Sequence, residues 1–435
     1  MSQQKQNGSI IAIVTMFFLY AMISFVTNLG APIGVIWKSQ PEIGGSNVLG
    51  IMGNFMNFFA YLFMGIPAGK MLTKVGYKKT ALIGIAVGFF GVLIQYLSGF
   101  SGGIPGFCIY LLGAFISGFA VCILNTVVNP MLNLLGGGGN RGNQLNMIGG
   151  TLNSLAGTMT PMLVGALIGT VTASTKMADV NLVMYIAMAV FACAFIILTF
   201  IPIEDPEAAR VTSETKFEHS PWSFRHLKLG VIAIFVYVGV EVGIPGGLNF
   251  YLSDPTDRGA GLIENAATIG GAVAAMYWLL MLIGRLCSSF IAAKVSARQL
   301  MMATTTIGMI LIIAAMLLPN TTTVNMPLFD IMKFKVTYAT VPVSALLLVL
   351  CGLCTSVMWT SIFNLSTEGL GKYTAQASGI FMMMVVGGGV LPVIQNFFAD
   401  KMGYMPSYFV YLLAMAYMFY YALIGCKNVN KDIPV

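Results

Sequence analysis

Apolar residues run through this chain in long stretches separated by short polar or Gly/Pro-containing connections. They show neither the two-residue alternation of a half-buried strand nor the single stripe of a surface helix. Twelve such stretches stand out, near 9–37, 47–69, 79–99, 104–135, 146–171, 181–202, 229–252, 266–293, 299–318, 338–366, 374–399 and 405–425. A helix needs about 20 residues to cross a hydrocarbon core about 30 Å thick, and each stretch meets that length. A membrane-spanning β-barrel would instead show alternating segments of about ten residues. The predicted fold class is an all-α membrane protein of twelve transmembrane helices.

Composition agrees with the pattern. The chain has 435 residues, of which 57% are hydrophobic and 9% charged, and its mean hydropathy is +0.85. A soluble domain carries about 25% charged residues, so a cytosolic enzyme, a disordered chain and a secreted disulfide scaffold are all excluded. The N-terminal MSQQKQNGS leads into an apolar stretch too long for the core of a cleavable signal. The net charge of +7 comes from scattered Lys and Arg, which points to membrane orientation and not to nucleic acid. With the N-terminus inside, only Lys38, Lys176, Arg258, Lys333, Lys335 and Lys401 of the 22 basic residues fall outside. That bias predicts both termini in the cytoplasm.

The longest polar stretch, 204–228, follows the sixth span. It divides the chain into an N-terminal six-helix half, 1–203, and a C-terminal six-helix half, 229–435. The halves echo one another: Lys74-Val75 after the second span matches Lys294-Val295 after the eighth, and Asn129 in the fourth span matches Asn364 in the tenth. Duplicated six-helix halves with a site between them are a common plan of secondary transporters.

Polar residues within the spans are the informative ones, because they are costly there. Glu241 is the only carboxylate deep in a span, thirteen residues into the seventh. It must be paired, protonated or turned to water, and it serves either helix packing or ion and substrate handling. Just beyond it, Gly243, Pro245, Gly246 and Gly247 are expected to interrupt the helix. Amides form a second group: Asn28 with Ser24, Asn54, Asn57, Asn125 and Asn129 one turn apart, Asn153, Asn249, Asn364 beside Trp359, Gln395 and Asn396. Amides both donate and accept, which suits hydroxyl groups, and Trp359 or Tyr237 offers a face for the apolar side of a sugar ring. The alternative for each amide is a bond between helices.

Other features carry less. Gly136–Gly139 has no strand before it and no Lys-Ser/Thr after it, so it is no phosphate loop. Gly387–Gly389 lies within the eleventh span and suits close packing or bending. Cys351 and Cys354 sit in an apolar run with no second pair, as core or lipid-facing thiols. No metal-ligand cluster, nucleophile with a base, or cofactor motif is visible.

The stretches FFLYAMISFVTNLGAP, GIPAGKMLTKVGYKKTALIG, LNTVVNP, YVGVEVG, GRLCSSF and SIFNLSTEGLGKYTAQASGIFMMMVVGGGVLPVIQNFFAD together resemble the fucose–galactose–glucose:proton symporters of the major facilitator superfamily, across nearly the whole chain. The resemblance implies a sugar bound between the halves, alternating access driven by a proton or sodium gradient, and a bacterial inner membrane. One chain is expected to act alone in the bilayer. The implied substrate residues are Asn28, Asn125, Asn129, Asn153, Glu241, Asn249, Trp359, Asn364 and Gln395, with Glu241 also the coupling residue. The basic loops imply a conformational switch of Lys70, Lys74 and Lys78, echoed by Arg285 and Lys294. The sequence departs from the family where its fucose carriers place acids in the first and fourth helices, because Asn28 and Asn125 cannot titrate. Proton symport through Glu241, sodium symport and facilitated diffusion all remain open. So does a carrier for another polar solute, although Glu241 as the single cavity charge disfavours a zwitterion.

Overall fold

The computed structural model describes residues 3–135, 139–201, 219–291, 295–370 and 373–430. Most of the 204–228 connection, Lys294 and Gly136 to Gly138 lie outside the described residues. The helices are α1 (Gln3–Thr27), α2 (Gly30–Lys38), α3 (Asn47–Gly50), α4 (Met52–Leu97), α5 (Gly103–Leu135), α6 (Gly139–Ile168), α7 (Asn181–Phe200) and α8 (Arg225–Ser253). They continue as α9 (Ala266–Ile291), α10 (Ala297–Leu317), α11 (Val343–Thr355), α12 (Met358–Thr367), α13 (Thr374–Met384), α14 (Gly387–Met402), α15 (Tyr404–Ser407) and α16 (Phe409–Tyr420).

Eleven helical stretches among the described residues are long and apolar enough to cross a bilayer. The first arm of α4 supplies a plausible twelfth. At 46 residues, α4 would be about 69 Å long if straight, over twice the hydrocarbon thickness. It bends back at Gly76, whose φ of 82° is open to glycine and costly elsewhere. Both arms lie along α5. Gly53, at the start of the first arm, faces Tyr110, while Gly91 and Gln95 in the second face Ser117 and Gly113. The arms therefore run antiparallel.

Among the described residues, three spans are broken well inside their length, away from the short end helices α3 and α15. The first unwinds between α1 and α2, where Asn28 Nδ2 donates to the Ser24 carbonyl at 2.9 Å and to Ser24 Oγ at 3.2 Å. Pro32 offers the Asn28 carbonyl no donor. The tenth breaks between α11 and α12, and the eleventh between α13 and α14, just before Gly387. The break expected at Gly243–Gly247 is absent, since α8 is continuous through Pro245. Those glycines make room for neighbours instead: a Cβ on Gly243 would strike the Tyr411 hydroxyl, and one on Gly247 would lie 2.8 Å from that of Tyr408.

The all-α expectation is corrected at one point. Residues 338–342, expected at the start of the tenth span, belong to an antiparallel hairpin of β1 (Thr323–Asp330) and β2 (Lys335–Pro342), with Thr323 opposite Pro342 and Asp330 opposite Lys335. Alternation sends Met326 and Leu328 into the core and leaves Val336 and Tyr338 exposed. The Asp330 carboxylate accepts from the amides of Met332 and Lys333 across the turn.

Helices before Ile201 pack closely on helices after Ser220. At α6 and α9, the Gly169 carbonyl accepts from Ala267 N at 3.0 Å and that of Gly165 from Thr268 Oγ1 at 3.1 Å. A Cβ on Gly271 would collide with the Pro161 carbonyl. Asn54 Nδ2 donates to the Gly388 carbonyl at 2.9 Å, and Gly388 and Gly389 lie against Phe58 and Phe55. Small residues allow such backbone approach where lipid gives no hydrophobic drive.

Candidate transport site

The site has three tiers along the contact between the earlier and later helices. At one end, Lys38 at the end of α2 donates to Asp254 Oδ2 at 2.8 Å, just past α8. The pair is largely enclosed, with side-chain exposures of 13% and 11%. Tyr404 joins it: its hydroxyl accepts from Lys38 and donates to Asp254 Oδ2 at 3.0 Å, and lies 2.7 Å from Asn47 Oδ1. Asp400 in α14 accepts from Asn47 N at 2.9 Å, Ser46 Oγ at 3.1 Å and Val48 N at 3.2 Å, so a later helix caps the short helix α3. Burial opposes the charged form of Asp254. Lys38 and the hydroxyl and amide of Thr256 outweigh it and hold this carboxyl below the usual aspartate range.

The middle tier is a cavity of about 20 Å³, room for one water-sized group. Thr27, Asn28, Asn54, Asn249 and Trp278 line it with Pro32, Pro161 and Pro245. On α8, Glu241, Pro245 and Asn249 recur every four residues and so share a face. The Trp278 ring lies over Gly157, where a Cβ would come within 3.3 Å of it.

The third tier holds the charge. Arg285 Nη2 donates to Glu241 Oε1 at 3.1 Å, while its Nη1 donates to Ser154 Oγ at 2.8 Å and to the Gly150 carbonyl at 3.2 Å. One guanidinium thus ties α9 to α8 and to α6, a geometry its planar fork permits and an ammonium does not. This corrects the reading of Glu241 as the single cavity charge. Arg285 lies near the inner end of its span in sequence, but its long stem carries the charge to the carboxylate. Beside it, Tyr20 donates to Asn129 Oδ1, Asn153 Nδ2 donates to the Tyr20 carbonyl at 3.1 Å, and Asn125 Nδ2 donates to the Tyr61 hydroxyl at 2.7 Å. The rings of Trp359 and Tyr237 stand 6.3 Å apart.

Of the residues singled out in the sequence, Asn28 and Asn249 meet at the cavity, Glu241 and Arg285 meet at the ion pair, and Asn125, Asn129 and Asn153 join the hydroxyl network. Asn364 is not among them: it lines a separate surface depression with Arg298 and Glu368. Gln395 is fully buried and donates to Ser407 Oγ at 2.6 Å. Lys74 is exposed, and Lys78 donates to the Thr199 and Ile201 carbonyls at 2.9 and 2.7 Å. Sequence reasoning missed Trp278, Tyr20, Tyr61, Ser154 and the Lys38–Asp254–Tyr404–Asp400 network. Trp278 had a legible signal, since it lies seven residues, two helical turns, before Arg285.

The chain's likenesses agree with this architecture. It is 28% identical over 434 residues to a glucose/galactose transporter of Brucella abortus, covering 98% of this chain and 96% of that one. It is 22% identical over 418 residues to the L-fucose-proton symporter of Escherichia coli, covering 90% and 87%. Among solved structures, the transporter FucP in its outward conformation matches with a TM-score of 0.66 at 19% identity, covering 96% of this chain and 99% of that one. A bacterial homologue of the iron transporter ferroportin in an inward-facing state matches with a TM-score of 0.59 at 13% identity, covering 98% and 100%. The family model of the Major Facilitator Superfamily matches residues 9–392, and the chain belongs to that superfamily.

Proposed function

We propose that this protein is a secondary active transporter that imports a neutral monosaccharide of the glucose, galactose or fucose class by cation-coupled alternating access. The Glu241–Arg285 pair carries this reading. It is an acid neutralised within the bundle, amid amides suited to hydroxyls, and Arg285 spans two helices that alternating access would move apart. The named activities of the Brucella abortus and Escherichia coli relatives support the sugar class. In this reading 1–203 and 229–435 are the two moving halves, joined by 204–228, with both termini in the cytoplasm of a bacterial inner membrane and one chain as the working unit. The surplus of Lys and Arg on one side supports that orientation, which makes the Lys38–Asp254 end the outer one, closed here. Asn28, Asn125, Asn129, Asn153 and Asn249 contact the sugar, with Trp359 and Trp278 as ring faces; Asn364 and Gln395 act from outside the cavity. Glu241 couples, and Lys70, Lys74, Lys78 and Lys294 belong with Arg285 to the conformational switch.

Proteoliposomes offered a labelled sugar panel, with proton and sodium gradients imposed separately, test it. Uphill uptake of a hexose or 6-deoxyhexose under one gradient, with Glu241→Gln abolishing accumulation but keeping exchange, is expected. Accumulation that survives Glu241→Gln removes the coupling role, and no uptake of any sugar overturns the reading. The Arg285–Glu241 pair supports one alternative, a zwitterionic solute whose charged ends replace the two partners, so neutral amino acids belong in the same panel.

A further inference from the structure

The cavity of about 20 Å³ between the earlier and later helices brings donors and acceptors together. Asn249 on α8 lines it and is 2% exposed. Its Oδ1 accepts from Ser253 Oγ at 3.3 Å, so Nδ2 is the free end of the amide, and that nitrogen has no partner among the described residues. The amides that share the lining are set the other way. Asn28 Nδ2 donates to the Ser24 carbonyl and Asn54 Nδ2 to the Gly388 carbonyl, which leaves both Oδ1 atoms to accept. Thr27 Oγ1 donates to the Ile23 carbonyl at 2.8 Å and keeps its lone pairs. Trp278 adds a ring and an indole N–H, and Pro32, Pro161 and Pro245 complete the frame. The amide N–H disfavours a bare cation, and the acceptor oxygens disfavour an anion. A donor set among acceptors is the complement of an O–H group, which accepts and donates through one atom. The space admits one such oxygen, without the added methylene of a hydroxymethyl group.

We propose that this cavity is the subsite for a single ring hydroxyl of the transported sugar, which accepts from Asn249 Nδ2 and donates to Asn28 Oδ1 or Asn54 Oδ1. The inference rests on the sugar reading and deepens it by naming the group that the middle tier recognises. Asn28 and Asn54 precede Ile201, whereas Asn249 follows Ser220. The hydroxyl therefore completes its bonds only when the two sets of helices lie together. A sugar without it leaves a buried N–H unmet as they close, and an unmet donor costs more than a lost contact. Sites built to bond a hydroxyl discriminate strongly against analogues that lack it for that reason. A water fixed in place throughout transport has the same O–H chemistry, but only a sugar hydroxyl ties Asn249 to one position of the substrate.

The full chain in proteoliposomes is offered labelled glucose, galactose or L-fucose, with each monodeoxy and monodeoxyfluoro analogue of the sugar taken up as competitor. Removal of one ring hydroxyl should raise half-inhibition about a hundredfold. Fluorine at that carbon should recover only part of the loss, because it accepts weakly and cannot donate. Asn249→Leu keeps the bulk of the side chain and removes the donor. It should weaken the unmodified sugar about tenfold and leave the analogue lacking that one hydroxyl no weaker than in the parent, a coupling that structural damage does not produce. If Asn249→Leu fails to fold, Asn249→Ala decides. A loss shared equally by every analogue overturns the proposal and assigns the amide to a fixed water or to helix packing. A variant that competes as the parent does overturns it too, and so does coupling to the hydroxymethyl group. Either of the first two results with uptake intact removes the subsite alone, whereas no uptake of any labelled sugar by the parent removes the sugar reading and the subsite with it.

Discussion

Lys38 Nζ lies 2.8 Å from Asp254 Oδ2, 216 residues away in the chain, and this contact closes one end of the bundle. Neither residue is remarkable in sequence, each a single charge at the end of an apolar span. Their value comes from pairing across helices that belong to opposite ends of the chain, with Tyr404 bonded to both and Asp400 capping α3 beside them.

Asp254→Asn keeps the shape but leaves Lys38 enclosed without its counter-charge. Removing one partner of a buried pair costs about 3–5 kcal/mol. With both side chains slightly exposed, about 2 kcal/mol against the closed state is expected, a population shift of about thirtyfold. A cysteine replacing Gly246, which lines the cavity behind the pair, should then react faster with a membrane-impermeant thiol reagent. The swapped pair Lys38→Asp with Asp254→Lys should restore slow labelling. Unchanged labelling in the single variant would show that the pair does not hold this end closed.

The same pair sets a pH dependence. The Asp254 carboxyl is held below its ordinary value, which for aspartate is about 3.9. A depressed group contributes its stabilisation fully above the ordinary value and loses it as pH falls through the lowered one. Closure at this end should therefore be flat from neutral down to about pH 5 and should weaken only below about pH 4. Labelling of the same cysteine across that range checks it, and a transition near pH 6 would point to a different group.

The spans and their order were legible in the sequence because a helix crossing a bilayer must be long and apolar, a requirement each segment meets by itself. Glu241 was legible for the same reason, as an exception to that rule. What pairs with it was not: Arg285 sits near a span end, and only the packing of α8 on α9 and α6 shows where its guanidinium arrives. The helix breaks were misplaced for a related cause. Gly243 and Gly247 mark where Tyr411 and Tyr408 press against α8, whereas at the first and tenth spans the breaks lie where Asn28, Thr355 and Ser356 compete for backbone carbonyls. The hairpin was absorbed into the tenth span because TYATVP reads as apolar without its partner strand.

Gly271 on α9 faces Gly165 on α6, and its Cα lies where any added side chain would meet the Pro161 carbonyl. Gly271→Leu should keep these helices apart near the Lys38 end, whatever the state of the ion pair. Faster labelling at the Gly246 cysteine together with loss of sugar uptake is expected, while the protein remains inserted and monodisperse. Slow labelling with full uptake would mean that α6 and α9 need not touch there.

Arg285 meets three acceptors at once, Glu241, Ser154 and the Gly150 carbonyl. Arg285→Lys keeps the charge that neutralises Glu241 but cannot reach all three. If the guanidinium serves only to neutralise the acid, this variant should transport as the parent does. If it also holds α6 to α8, the link between carboxylate state and helix position is broken. Exchange should then persist while gradient-driven accumulation falls by about tenfold, equivalent to about 1.4 kcal/mol of lost coupling. Ser154→Ala removes one of the same contacts without touching charge and should lower accumulation in the same direction by a smaller factor. Accumulation unchanged in both variants would leave electrostatic pairing with Glu241 as the whole role, while a fall in Arg285→Lys but not in Ser154→Ala would place the α6 linkage on the Gly150 carbonyl and not on Ser154.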